Sequence, residues 1–349
     1  MRKQQCVIAL FLAGLAAIGA IALIASAASA GGSDRRALKG TIWVANRGAD
    51  TIRGFDARTG EVVHTWPMAS GSQPGDLAPA KGKLYVSEEF GAAPALAVVD
   101  PESGNVVRRF FVGITARPHH VHVSRSGRLV AFGLYGTDTV GVVDTRTDTL
   151  LGPWDTNPAT TNGRAHAGVF SPNGRTLYVT SDATSELIAL NPRTGDILWR
   201  LSVPNAHELV VTHDGKIAYV SARTGNAIRI VDLERQLVTA SFPMGPAPDT
   251  LQLSANGKLL TVGLRGSPAQ VAFVDTRTLE SEIVRIGPVL DTTTVAGHQW
   301  TSRNGRFTFA AYEGGQHPGV AVIDHKAGNQ VVETLSYDGR PHGVAFAHR

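Results

Sequence analysis

Seven apolar runs recur along the chain at nearly constant spacing, each ending in an acidic or amide residue: GFD at Asp56, VVD at Asp100, VVD at Asp144, IALN at Asn191, IVD at Asp232, FVD at Asp275 and VID at Asp324. Self-similarity at a period of about 45 residues marks a repeat architecture, in which one supersecondary unit buries its apolar faces only against its neighbours. After each of these residues comes a turn such as DARTG (from Asp56), DPESG (from Asp100), DTRTD (from Asp144) or NPRTG (from Asn191). There the first side chain can cap the turn amides, and Pro or Gly supplies the special backbone angles.

Upstream of each run lies a strand with an aromatic or apolar centre: LYVS (Leu84–Ser87), LYVT (Leu177–Thr180), AYVS (Ala218–Ser221) and, more loosely, IWVAN (Ile42–Asn46). Further upstream are hairpin turns of the Ser-x-Asn-Gly type, SPNG at Ser171, SANG at Ser254, SRNG at Ser302 and the variant THDG at Thr212. Four short strands per unit follow, and helical periodicity is absent. Seven units of four antiparallel strands predict an all-β, seven-bladed β-propeller, which manages exposed strand edges by arranging blades around a channel. The ends decide against an open solenoid. The first unit, from Ile42, lacks its first strand, and the chain finishes with an orphan one, RPHGVAFAHR (Arg340–Arg349), which is expected to complete the first blade and close the ring.

The repeats resemble the YVTN β-propeller family, whose Tyr-Val-Thr-Asn strand is approximated by Tyr178-Val179-Thr180 and Tyr85-Val86-Ser87. The resemblance runs over residues 41–349. It implies the fold and leaves function open, because such propellers serve as secreted binding proteins, a single-stranded-DNA binder of the periplasm, lactonase-like enzymes, and domains of nitrite and nitrous oxide reductases.

The N-terminus reads as an export signal over residues 1–30. Arg2 and Lys3 precede an apolar stretch from Val7 to Ala25, and Ala28-Ser29-Ala30 offers a small-residue cleavage site before Gly31. The stretch approaches spanning length, so an uncleaved membrane anchor is the alternative. Residues 31–40 read as a flexible lead-in to the ring. The expected location is extracytoplasmic, periplasmic or secreted. Cys6, the one cysteine, lies in the leader, so the mature chain has no disulfide and no thiolate chemistry. Cleavage takes the basic count from 33 to 31 against 29 acids, a net charge of about +2 with His neutral, so a global electrostatic grip on nucleic acid is not indicated. A monomer is expected.

No G-x-S-x-G elbow, phosphate-binding glycine loop or H-E-x-x-H occurs. The informative constellation is distributed. Aligning the seven first strands places Pro74-Gly75-Asp76, Pro118-His119-His120, Ala165-His166-Ala167, Ala206-His207-Glu208, Pro248-Asp249-Thr250, Gly297-His298 and Pro341-His342-Gly343 in register. First strands line the channel of a propeller, so these side chains should gather at one mouth.

Arg117, Arg164 and Arg340 each precede a His-bearing strand, and loops between second and third strands should add Arg47, Glu88, Glu89, Arg223, Arg265, Glu313 and His317. Two readings compete. In one, the in-register histidines fix blade geometry by hydrogen bonding. In the other, His119, His120, His166, His207, His298 and His342 supply neutral nitrogen donors to copper, zinc or haem, while Arg117, Arg164, Arg223, Arg265, Arg340, Glu208 and Asp249 bind a small-molecule or protein ligand. The cluster His119-His120-x-His122, with His120 and His122 on one strand face, exceeds what the repeat requires.

Trp300 and the strand-centre Tyr85, Tyr178 and Tyr219 are expected in blade packing. His64, His213, His325 and His348 are expected to face solvent, and Glu88, Glu89 and Glu313 are expected to be solvated loop charges. The longer connections at residues 88–94, 155–163 and 287–296 should sit at the mouth, where loops carry function.

Overall fold

In the computed structural model, which describes residues 35, 38–157 and 164–348, seven antiparallel four-stranded blades succeed one another, the outermost strand of the third being split into Thr149–Leu150 and Trp154–Asp155, and helix is almost absent. The proposed leader and most of the lead-in lie outside the described residues, as does 158–163 of one long connection. No helix among the described residues is long and apolar enough to cross a membrane.

The capping expectation for the repeat turns holds in all seven units. The side chains of Asp56, Asp100, Asp144, Asn191, Asp232, Asp275 and Asp324 each accept a hydrogen bond from the amide two residues on, at 2.8–3.0 Å. These turns end the third strand of each blade and send the chain into an outermost strand whose side chains are largely exposed, as in Val62–Pro67 and Leu237–Pro243.

Ring closure follows the orphan-strand expectation. Pro341–His348 pairs with Gly40–Asn46, with Ile42 opposite Phe346, Trp43 opposite Ala345 and Val44 opposite Val344. The first blade is therefore built from both ends of the propeller.

Blades bury apolar residues on both faces, so their second strands are buried almost throughout, as in Gly40–Asn46 and Phe307–Glu313. The core is consequently a ring of seven clusters, one per blade interface. Ile42, Val44 and Phe346 of the first blade pack on Phe307, Phe309 and Val322 of the seventh, and Tyr219 and Ile228 of the fifth pack on Leu251 and Leu260 of the sixth. Trp300 stacks on Phe346 with centroids 4.7 Å apart, in blade packing as expected. With apolar contacts assigned to the interfaces, the axis is left to polar side chains.

Candidate functional site

The innermost strands are Pro341–His348, Pro74–Ala80, Pro118–Val123, Ala165–Phe170, Ala206–Val211, Pro248–Leu253 and Val295–Thr301. Each departs from regular pairing at the same place: two of its residues stand opposite a single residue of the second strand. The bulged pairs are Gly75-Asp76, His119-His120, His166-Ala167, His207-Glu208, Asp249-Thr250, Gly297-His298 and His342-Gly343.

A regular strand would send neighbouring side chains to opposite faces, whereas a bulge re-aims them. This is how His119 and His120 come to lie in edge contact, centroids 4.4 Å apart. Opposite the seven bulges stand Ala45, Ser87, Gly133, Thr180, Ser221, Gly263 and Ala311, all small, because the next blade's bulge packs against several of them. Thr180 Oγ1 donates to the His207 carbonyl and Ser221 Oγ to the Asp249 carbonyl, at 2.5 and 2.8 Å.

The predicted histidines converge. His119 lies 5.0 Å and His120 4.4 Å from His166, measured between ring centroids. His166 lies 3.7 Å from His207, His120 4.5 Å from His298, and His298 4.8 Å from His342. His122 turns to the same face as His120, its ring parallel at 6.3 Å.

A second ring lies one step nearer the mouth, formed by the residues that follow the second strands: Arg47, Glu89, Tyr135, Asp182, Arg223, Arg265 and Glu313 (the last closing its strand). Glu89 and Glu313 are buried, contrary to the expectation of solvated charges. Glu89 accepts from Arg47 and meets His119 Nδ1 at 2.7 Å. Glu313 accepts from Arg265 at 2.7 Å and from Arg340 at 3.1 Å, with His342 Nδ1 at 3.5 Å.

Other expectations are corrected. Glu88 is buried away from the mouth, paired with outer-strand Arg109 at 2.7 Å, and His317 is exposed. His64 does not face solvent freely but is stacked between Trp43 and Trp66, and His325 bonds Thr308 and Asn329. His213 is exposed. Arg117 and Arg164 lie over the Tyr135 ring at 5.4 and 5.5 Å, at the rim above the imidazoles.

Burial and pairing divide the titratable groups. Burial pushes His120 down to about 4, helped by the neighbouring His119 and His298 and opposed by Glu208. Burial and adjacent cations also hold His166 and His342 well below the usual imidazole value. His207 goes the other way. Burial disfavours its charge, but Asp249 Oδ1 at 2.5 Å and Asp182 at 3.0 Å outweigh that and raise it to about 9, so it is an imidazolium at neutral pH. Glu208 and Asp76 are wholly buried, yet their contacts with His120 and His122, and with His298, hold both below the carboxylate range.

Two cavities meet on the axis. The mouth cavity, of about 260 Å³, is lined by Arg47, Arg117, Arg223, Arg265 and Arg340 above His119, His120, His166 and His342. A channel cavity of about 390 Å³ continues beneath it past Asp76, His120, His122, Glu208 and His298. His120 borders both.

Fold and axis together define a seven-bladed β-propeller with a polar hub. The family model described as "Lactonase, 7-bladed beta-propeller" matches residues 113–286. The uncharacterized protein YncE of Salmonella typhi is 22% identical over 253 residues, covering 67% of this chain and 68% of that protein. Among solved structures, the periplasmic gluconolactonase PpgL of Pseudomonas aeruginosa superposes with a TM-score of 0.66 at 21% identity, over 88% of this chain and 99% of that one. Dihydro-heme d1 dehydrogenase NirN, in complex with DHE, gives 0.60 at 17% identity, over 88% and 75%. At these identities the structural likenesses show the fold alone.

Tyr135 and Asp182 join the residues that the sequence placed at the mouth, where Asp76, Glu89 and Glu313 were expected. The signal for the second ring was present, since a residue of fixed offset follows every second strand.

Proposed function

We propose that this is an exported YVTN-type propeller that binds a small organic anion at its mouth. The observation that carries the reading is the convergence of Arg47, Arg117, Arg223, Arg265 and Arg340 on one cavity whose lining carboxylates, among the described residues, are Glu89 and Asp249. Glu89, Asp249 and, behind the cavity, Glu313 pair with part of this charge, and the guanidiniums still outnumber these acids, which favours a carboxylate or phosphate guest. Below them His120, His166 and His342, held low by burial, supply neutral hydrogen-bonding groups for hydroxyls. The export signal in the sequence and the likeness to PpgL, a periplasmic protein, support an extracytoplasmic address.

A second reading, lactone hydrolysis, is favoured by the lactonase match. In that reaction water adds to the ring carbonyl, the ring C–O bond breaks, and a hydroxy acid leaves as an anion suited to the same arginines. Buried, neutral His166, whose Nδ1 has no hydrogen-bond partner, could take the proton from water.

Calorimetric titration of the purified protein with gluconate and related sugar acids tests binding, and Arg223→Ala should weaken it about tenfold or more. Release of acid from gluconolactone, lost in His166→Ala, separates the hydrolase from the binding protein. Absence of both binding and turnover across sugar acids, phosphorylated sugars and lactones overturns both readings.

A further inference from the structure

Below the mouth, the channel gathers a donor set that the anion reading does not use. One candidate ligand atom each from His120, His122 and Glu208 lie within 4.8 Å of one another, and the same holds for Asp76, His120 and His298. Glu208 Oε2 stands 3.0 Å from His120 Nδ1, and Glu208 Oε1 3.4 Å from His122 Nε2. Asp76 accepts the amide of Val121 at 2.7 Å and holds His298 Nδ1 at 3.1 Å, which fixes the ring and leaves its Nε2 unengaged.

Three polar atoms in this one patch, Glu208 Oε2, His122 Nε2 and His298 Nε2, are buried without a partner of hydrogen-bonding geometry. Glu208 and His298 are among the buried residues of the hub, at 1% and 7% exposure. Stranding such groups costs free energy unless something else occupies them.

We propose that the hub carries a divalent transition-metal site one layer below the mouth. His120, His122 and Glu208 of the third and fifth blades hold the ion, and the Asp76–His298 pair of the second and seventh blades adjoins it through His120. Two imidazoles with a carboxylate suit zinc or copper and not calcium or magnesium, which take oxygen cages. Donors about 2 Å from a shared tetrahedral ion lie roughly 3.3 Å apart, and the His120–Glu208 and His122–Glu208 contacts, at 3.0 and 3.4 Å, have that spacing. Asp76 orients the adjoining His298 imidazole through Nδ1 and leaves its Nε2 unengaged beside the site. Relative to the histidine-only set read from sequence, this site adds His122 and Glu208, and leaves His119, His166, His207 and His342 to the mouth.

The test uses the purified protein stripped of metal, titrated with Zn²⁺ or Cu²⁺ alone against a chromophoric chelator. About one equivalent should bind, His120→Ala and Glu208→Gln should each weaken it by about tenfold to a hundredfold, and Arg223→Ala should leave it unchanged. Arg223→Ala weakens the anion, so loss of one property without the other tells the two sites apart. Far-UV circular dichroism melts establish that each variant is folded. Should His120→Ala not fold, the near-isosteric Glu208→Gln and X-ray absorption of the loaded wild type, which counts imidazole and carboxylate ligands, decide. Failure of both ions to bind the folded wild type, or binding that survives both substitutions, overturns the site and leaves these residues as hydrogen-bonded blade ties.

Discussion

Glu89 shows how a single side chain at the hub couples charge to folding. It is buried, and burial alone would raise its pKa, but His119 and Arg47 overcome this and hold it down to about 2. A carboxylate depressed in the folded state contributes stability that is present above its unfolded value of about 4.5 and lost as pH falls toward 2. The lost contribution is on the order of 3 kcal/mol. Melting temperature should therefore fall between about pH 5 and 2 in the wild type, and Glu89→Gln should be less stable at neutral pH and flatter across that window. Equal slopes in the two proteins would show that Glu89 is not a source of the acid sensitivity. The same residue marks a limit of sequence reading. Glu89 and Glu313 look like loop charges because their partners, Arg47 and His119, or Arg265 and Arg340, come from other blades, and pairing across tens of residues leaves no local pattern.

At the scale of the strand, the recurrent bulge converts a repeat into a site. Its geometry depends on the small residue opposite. A Cβ on Gly133 would fall 2.1 Å from the carbonyl oxygen of His166, and one on Gly263 2.5 Å from Thr250 Oγ1. Gly133→Val is thus expected to destabilise the fold by about 1–3 kcal/mol or more through overpacking, and to displace His166. A differential scan measures the first effect, and loss of anion binding in protein still folded at low temperature measures the second. An unchanged melt would mean that neighbouring blades can separate freely at the hub. Turn, strand and blade number were legible in the sequence because Asp-Thr-Arg-Thr and Ser-Pro-Asn-Gly turns carry their own local physics. The bulge was not, since it breaks the period-two alternation by which strands are read, and only the register of pairing reveals how His207 and Glu208, successive in sequence and both aligned to the channel, can turn to one axis.

For the whole molecule, stability rests on closure. A ring whose core is divided among seven interfaces has no central reserve, so opening one interface exposes an apolar face and two strand edges together. The strand Pro341–His348 is the closing piece. Val344 and Phe346 enter the interface between the first and seventh blades, Ala345 the interface between the first and second, and His342 reaches the hub beside His298. The approach is fastened by the Arg47 amide donating to the Arg340 carbonyl at 3.0 Å and by Tyr337, whose hydroxyl donates to the Val44 carbonyl at 3.3 Å. A chain ending at Asp338 loses these apolar contacts, of which a buried Val or Phe side chain alone is worth about 1.5–3 kcal/mol, and leaves Gly40–Asn46 as an open edge. Its melting temperature should drop by more than about 10 °C, with broadened cooperativity and a tendency to associate through the exposed strand. Adding a peptide spanning 339–349 should restore part of the loss in a concentration-dependent manner, because the peptide binds only the folded ring. A truncated chain that melts like the full one, or a peptide without effect on a destabilised chain, would show that the blades hold together without the strand that joins their ends.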